Sequence, residues 1–190
     1  NQGKTNTAQK TIFVTTTGIP LESEAIVGMW YLDEGEGNVA RDAWVEQNHG
    51  TIRRATLWVQ GEFSPALDLD GIADLVDCGN DASLDIAMGS FGGWFTFSSL
   101  PSEKHGGILA HGDGIGMNLV AKPEQYWIHA AADNSIQVKV TLGSVATTGP
   151  DFIQVGVPYH IVGTYDGESV KIFVDGEEMG SVARSGDIPP

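Results

Sequence analysis

Tyr159-His160-Ile161-Val162-Gly163-Thr164-Tyr165-Asp166-Gly167-Glu168-Ser169-Val170-Lys171-Ile172-Phe173-Val174-Asp175-Gly176 is the stretch on which the fold turns. Two Asp-Gly pairs divide it. Such a pair between apolar runs is the chemistry of a two-residue type I′ hairpin turn, whose central positions both need positive φ. Between the pairs, Val170, Ile172 and Val174 alternate with Lys171 and Phe173, a period of two that puts the three aliphatics on one strand face. Continued through Ala183, the segment reads as a three-stranded antiparallel meander.

Short apolar or alternating segments fall at 26–32, 51–59, 66–69, 74–78, 93–100, 107–111, 116–121, 126–131 and 136–142, ahead of the meander strands 159–165, 170–174 and 178–183. Asp133-Asn134-Ser135 supplies a further turn. Segments spaced by roughly 8–12 residues, with no long 3.6-residue period, point to a sandwich or barrel. The 25 glycines lie mostly between the apolar runs, where tight turns need them. An all-β fold is therefore expected, with less than about one tenth of the residues in α-helix against the usual third. Residues 1–24 are rich in Thr, Gln, Lys and Gly and read as a linker or N-terminal arm. Its one strand-like run, Thr11-Ile12-Phe13-Val14, is expected to borrow a sheet edge. The domain proper is expected over residues 25–190.

With 25 acidic against 10 basic residues the formal charge is −15, which repels phosphate backbones and anionic lipid. Nucleic-acid binding and membrane docking are thereby disfavoured, while hard cations with oxygen ligands are suited. Cys78 is the single cysteine, so neither an intrachain disulfide nor a cysteine-based zinc site can form. Its setting, Leu75-Val76-Asp77-Cys78, reads as a buried strand thiol. No apolar stretch approaches the roughly 18–20 residues of a membrane-spanning helix.

Four pieces carry a resemblance. They are Trp30-Tyr31-Leu32-Asp33-Glu34-Gly35-Glu36-Gly37; Ala66-Leu67-Asp68-Leu69-Asp70-Gly71 with Asp74-Leu75-Val76; Phe91-Gly92-Gly93-Trp94-Phe95; and the meander itself. In this order the chain resembles laminin G-like jelly-roll domains of the concanavalin A-like lectin/glucanase superfamily. The resemblance implies a two-sheet antiparallel jelly-roll sandwich. It departs from the family at Tyr159, where a Trp is usual. It departs also at the end, where the closing C-terminal strand is expected to be lacking, leaving an open edge through which self-association is expected.

The acidic loop Asp33-Glu34-Gly35-Glu36-Gly37-Asn38, with Asp42 downstream, gathers carboxylates and flexible carbonyls. Its spacing is not that of an EF-hand, but the resemblance implies calcium, with Asp33, Glu34 and Asp42 as the candidate ligands. Asp68, Asp70 and Asp74 form a second acidic group that turn hydrogen bonds explain equally well. Among the five tryptophans, Trp30 and Trp94 lie in strand patterns and read as core. Trp127, Trp58 and Trp44 are the candidates for a platform on which a sugar face stacks. His160 reads as a structural strand histidine, and His105 and His111 form no recognisable metal pair.

Glycoside hydrolases on this fold set two carboxylates along one strand face. Here no Glu is followed by Asp at the second position, and Glu177-Glu178 splits its side chains between two faces. No catalytic residues are assigned. The resemblance implies a non-enzymatic, extracellular or cell-surface module that binds a glycan or a matrix or surface protein. A structural protein–protein adhesion module stands beside it as the alternative, with a glycoside hydrolase third. Fold alone does not choose between them.

Overall fold

The computed structural model describes residues 6–9, 26–44, 48–54, 56–61, 64–101, 106–111, 125–141, 145–186 and 188. Among them there is no α-helix, and the one helical turn is a 3-10 turn at Ala82–Leu84. The strands are β1 Asn6–Gln9, β2 Val39–Ala40, β3 Gly50–Arg53, β4 Leu57–Gln60, β5 Pro65–Leu69, β6 Leu75–Asp77 and β7 Gly89–Phe97. Then follow β8 Gly106–His111, β9 Tyr126–Ala130, β10 Ile136–Val140, β11 Val145–Thr147, β12 Pro158–Tyr165, β13 Ser169–Val174 and β14 Glu177–Ala183. All pair antiparallel. They make a seven-stranded sheet in the order β14-β13-β12-β7-β1-β5-β4, a four-stranded sheet β11-β10-β9-β8 and a three-stranded sheet β2-β3-β6.

The main core lies between the large sheet and the four-stranded one. Phe91, Phe97, Ile161, Tyr165, Val170 and Ile172 meet Tyr126, Ile128, Ile136, Val138 and Val140 there. The alternation read in the meander is realised, since Val170, Ile172 and Val174 are all buried. At Gly163 a Cβ would lie 2.6 Å from Val138 Cγ1 and 2.9 Å from the Phe91 ring, so only hydrogen lets the layers close at this point. A second cluster, Trp30, Leu32, Ala40, Ile52, Leu67 and Leu84, fills the space under the three-stranded sheet. Arg184 ties the two layers together by donating to Thr141 Oγ1 at 2.6 Å and to the Tyr165 hydroxyl at 2.6 Å.

The meander's two turns differ. At Asp175-Gly176 both φ values are positive, 51° and 88°, as a type I′ turn requires. At Asp166-Gly167 only Gly167 is positive, so the expected second type I′ turn is corrected. Asp166 instead caps the loop. Its carboxylate accepts the amides of Glu168 at 2.9 Å and Ser169 at 2.7 Å, an arrangement that holds its backbone at negative φ.

A second correction concerns residues 51–59, read as one segment. Arg54 enters the left-handed region at φ 65°, and Thr56 Oγ1 donates to Arg53 O, breaking the run into β3 and β4. The two pieces then enter different sheets. In the N-terminal stretch, the expected strand 11–14 lies outside the described residues, as does the segment 116–121. The strand that joins the large sheet is β1, and it sits between β5 and β7 rather than at an edge.

Candidate functional site

The loop between β2 and β3 is organised around Asp42. This residue is 1% exposed, and its carboxylate accepts three backbone amides: Met29 at 3.1 Å, Trp44 at 3.1 Å and Asn48 at 3.3 Å. Its own amide donates to His49 Nδ1 at 3.1 Å. Trp30 Nε1 donates to Asn48 O at 2.7 Å, and Asn48 in turn reaches Ser83 Oγ at 3.0 Å. Gly28 permits this arrangement, since a Cβ there would come within 2.5 Å of the Trp30 ring.

Beyond Trp30 the chain makes a series of left-handed turns, at Leu32, Gly35 and Gly37, that lift Asp33 and Glu34 out of the core. Glu34 Oε1 accepts the Arg41 amide at 2.7 Å. Glu34 Oε2 is buried and has no hydrogen-bond partner among the described residues. The result is a cleft of about 250 Å³ lined by Tyr31, Asp33, Glu34, Arg41, Asp42, Ala43 and His49. All three residues expected to ligate calcium thus border one cleft. Trp44 follows directly after Ala43 in the chain and is 38% exposed.

As a calcium shell the set is incomplete. Calcium takes about six to eight oxygens. Asp42 already serves three amides, which leaves Asp33 and one oxygen of Glu34 as uncommitted carboxylate donors, and the Arg41 side chain shares the cleft. Among the described residues no three of His, Cys, Asp and Glu gather as metal ligands.

The remaining tryptophans part company. Trp58, on edge strand β4, packs against the second core cluster, and its Nε1 donates to Gly37 O at 2.9 Å, bracing the acidic loop. Trp127, on β9, lies on the outward face of the four-stranded sheet. Its neighbours Tyr126 and Ile128 point into the core, whereas Trp127 and His129 are half-buried on the other side. Cross-strand pairing sets Trp127 between Ala110 and Lys139, and His129 beside Gln137. Lys139 Nζ stands 4.3 Å from the centre of the indole, and His129 meets the ring edge-on at 5.8 Å. The indole Nε1 is buried with no hydrogen-bond partner among the described residues.

This antiparallel sandwich is matched by a family profile described as the concanavalin A-like lectin/glucanases superfamily, over residues 70–190, well over half of the chain. The chain belongs to the concanavalin A-like lectin/glucanases superfamily. No curated protein and no solved structure matches it. The matched region contains the outward face with Trp127, while the cleft of the N-terminal loop precedes it.

In this superfamily member the acidic group Asp68, Asp70 and Asp74 is in part turn chemistry. Asp70 Oδ1 accepts the amides of Ile72, Ala73 and Asp74, and those bonds hold its carboxyl below the usual range. Cys78 packs against the second core cluster. Burial, then the nearby charges of Asp77 and Asp42, push its thiol up to about 12, which removes it as a nucleophile. His160 sits 5.1 Å from Trp94 and is held below its ordinary value by desolvation.

His111, which has no metal-pair spacing in the sequence, proves to be a buried anchor. Its Nε2 lies 2.9 Å from Asp85 Oδ1, Gln125 Nε2 donates to the same oxygen at 3.0 Å, and the Tyr126 ring stacks on it. Sequence reasoning missed this pairing because 26 residues separate His111 from Asp85. It also missed Tyr31, Arg41 and His49 in the cleft. Their only signal is position, on either side of the acidic loop.

Proposed function

We propose that the chain is a non-catalytic recognition module of a secreted or cell-surface protein and that it binds a glycan on the outward face of its four-stranded sheet. The observation that carries the reading is the row formed by Trp127 with Lys139, His129 and Gln137. An indole offers a flat apolar surface for a sugar face once the Lys139 ammonium that stands over it swings aside, and the polar groups around it offer hydrogen bonds to hydroxyls. Superfamily membership supports a β-sandwich binding module. In this proposal the binding is independent of calcium, because the Asp42 carboxylate is engaged by three backbone amides.

Water competes equally well for sugar hydroxyls, so each hydrogen bond contributes little net affinity. A Kd between millimolar and micromolar is expected, about 4–8 kcal/mol. A glycan array with and without chelator, followed by calorimetry on the best hit, tests this. Trp127→Ala is expected to abolish binding and to move Tm by no more than a few degrees. Unchanged affinity in that variant refutes the platform.

A second reading, protein–protein adhesion, is favoured by the apolar side chains left on the surface, Ile72 at 81% and Leu57 at 64% exposed. Leu57 lies on edge strand β4, where backbone pairing with another chain is available. An intact domain that ignores every glycan but captures a matrix or surface protein selects this reading.

A further inference from the structure

The strand β1 fills the slot between β5 and β7, antiparallel to both. The register sets Asn6 between Leu69 and Phe97, and Ala8 between Leu67 and Phe95. Leu67, Phe95 and Phe97 belong to the two core clusters, so these positions suit large apolar residues, yet the sequence supplies Asn and Ala. Both are depleted in strands. Asn6–Gln9 includes no large apolar residue, and backbone pairing on its two sides is what places it.

Charge fits the segment to the body of the domain. The first ten residues carry Lys4 and Lys10 and no acid, whereas the other 180 carry eight basic and 25 acidic residues. Asp68 stands opposite Thr7, and Asp70 and Asp74 lie just past the end of β5. The connection is long. Sixteen residues, 10–25, separate β1 from Ile26. Extended, they span up to about 55 Å, more than the roughly 40 Å across a compact domain of this size. The strand can therefore reach the same slot on a neighbouring copy.

We infer that the slot between β5 and β7 is a docking surface for a second copy of this chain. Two chains exchange β1 reciprocally, and each completes the other's seven-stranded sheet. The pairing is the same within one chain and between two, which makes exchange a low-cost route to a dimer. The tether sets the balance. A flexible connection gives a chain's own strand an effective concentration of order millimolar, so exchange competes when copies are held at ~1 mM or refold together. The inference stands apart from the glycan reading.

The test uses two full-length chains of different mass, both in a Cys78→Ser background, one with Thr7→Cys and the other with Thr96→Cys. Residues 7 and 96 are register partners, whose Cβ atoms, about 4.5–5.5 Å apart in such a pair, lie close enough for a disulfide. Mixed, refolded from urea at ~1 mM and oxidised, roughly a quarter of the chains are expected to join as the mixed 7–96 dimer on a non-reducing gel. At ~10 μM the yield is expected to fall about twentyfold. Pairing Thr7→Cys instead with Glu168→Cys, in an exposed turn, is expected to give at least tenfold less at either concentration. A 7–96 yield equal to that of the 7–168 mixture overturns the exchange. The fold control puts Thr7→Cys and Thr96→Cys in one chain, which is expected to close on itself at ~10 μM. Closure within the chain at both concentrations, with no joined dimer at ~1 mM, also overturns it, and failure to close at all removes β1 from the slot.

Discussion

Replacing Asp42 by Ala removes one carboxylate and strands three backbone amides. The amides of Met29 and Asn48 donate to it at 3.1 and 3.3 Å in buried surroundings, and that of Trp44 at 3.1 Å in a partly buried one. A buried donor left unsatisfied costs about 1–3 kcal/mol. Partial relaxation and water entry reduce the sum, so a loss of about 3–5 kcal/mol is expected, a large share of the ~5–15 kcal/mol that holds a domain together. For a chain of this length each kcal/mol moves Tm by about 2–4 °C, which places the variant roughly 6–20 °C below the parent. Asp42→Asn keeps an oxygen for Met29 and Trp44 but turns an NH₂ toward the Asn48 amide, and is expected to fall between the two. Asp33→Ala, at an exposed position on the same cleft, is expected to stay within about 0.5 kcal/mol. Urea unfolding followed by tryptophan fluorescence gives the midpoints and slopes for all three. An Asp42→Ala midpoint within about 1 kcal/mol of the parent refutes the view that this carboxylate organises the loop.

Gly163→Ala puts a methyl 2.6 Å from Val138 and 2.9 Å from Phe91 and is expected to cost about 1–3 kcal/mol by overpacking, read from the same denaturation curves. Cys78, half-buried against the second core cluster, is expected to react more slowly with a thiol reagent at pH 8 in the native state than in denaturant, since desolvation raises its thiol; equal rates in the two states overturn this. Asp70, Asp77, Asp81 and Asp166 all have carboxyls held below their ordinary values by backbone hydrogen bonds. Their contribution is complete above the unfolded carboxylate pKa of about 3.9 and is lost as pH falls through the lower folded values, so the main acid transition is expected below about pH 4. His160, lowered by desolvation, has the same sign and adds a smaller loss that begins as pH falls below about 6.5, which His160→Asn is expected to remove. Calcium from micromolar to millimolar is expected to leave Tm within about 1 °C; a chelator-reversible rise that Glu34→Gln abolishes would restore the ion to the cleft.

The meander over residues 158–183 was legible because its determinants are local. Asp175-Gly176 supplies positive φ at adjacent positions, and the alternation of Val170, Ile172 and Val174 needs only the pleat to choose a face. The superfamily was legible for the same reason, since short turn-bounded strands in a given order are a property of the chain itself. What the chain could not state was where strands go once they leave their neighbours. Residues 51–59 look continuous, yet a single left-handed residue, Arg54, sends the halves to different sheets. The split turns on what each half packs against. The candidate site followed the same division. The acidic residues Asp33, Glu34 and Asp42 stand out in the sequence, but only the folded loop shows that Asp42 is engaged by amides from residues 29, 44 and 48, and that Tyr31, Arg41 and His49 complete the cleft. The tryptophans make the point most plainly. Trp58 and Trp127 each sit in a short strand next to an aliphatic residue, and nothing in that pattern separates them. Trp58 is braced against a core cluster and Gly37, and Trp127 faces outward under Lys139, because burial depends on which layer covers a strand face, and that layer comes from elsewhere in the chain.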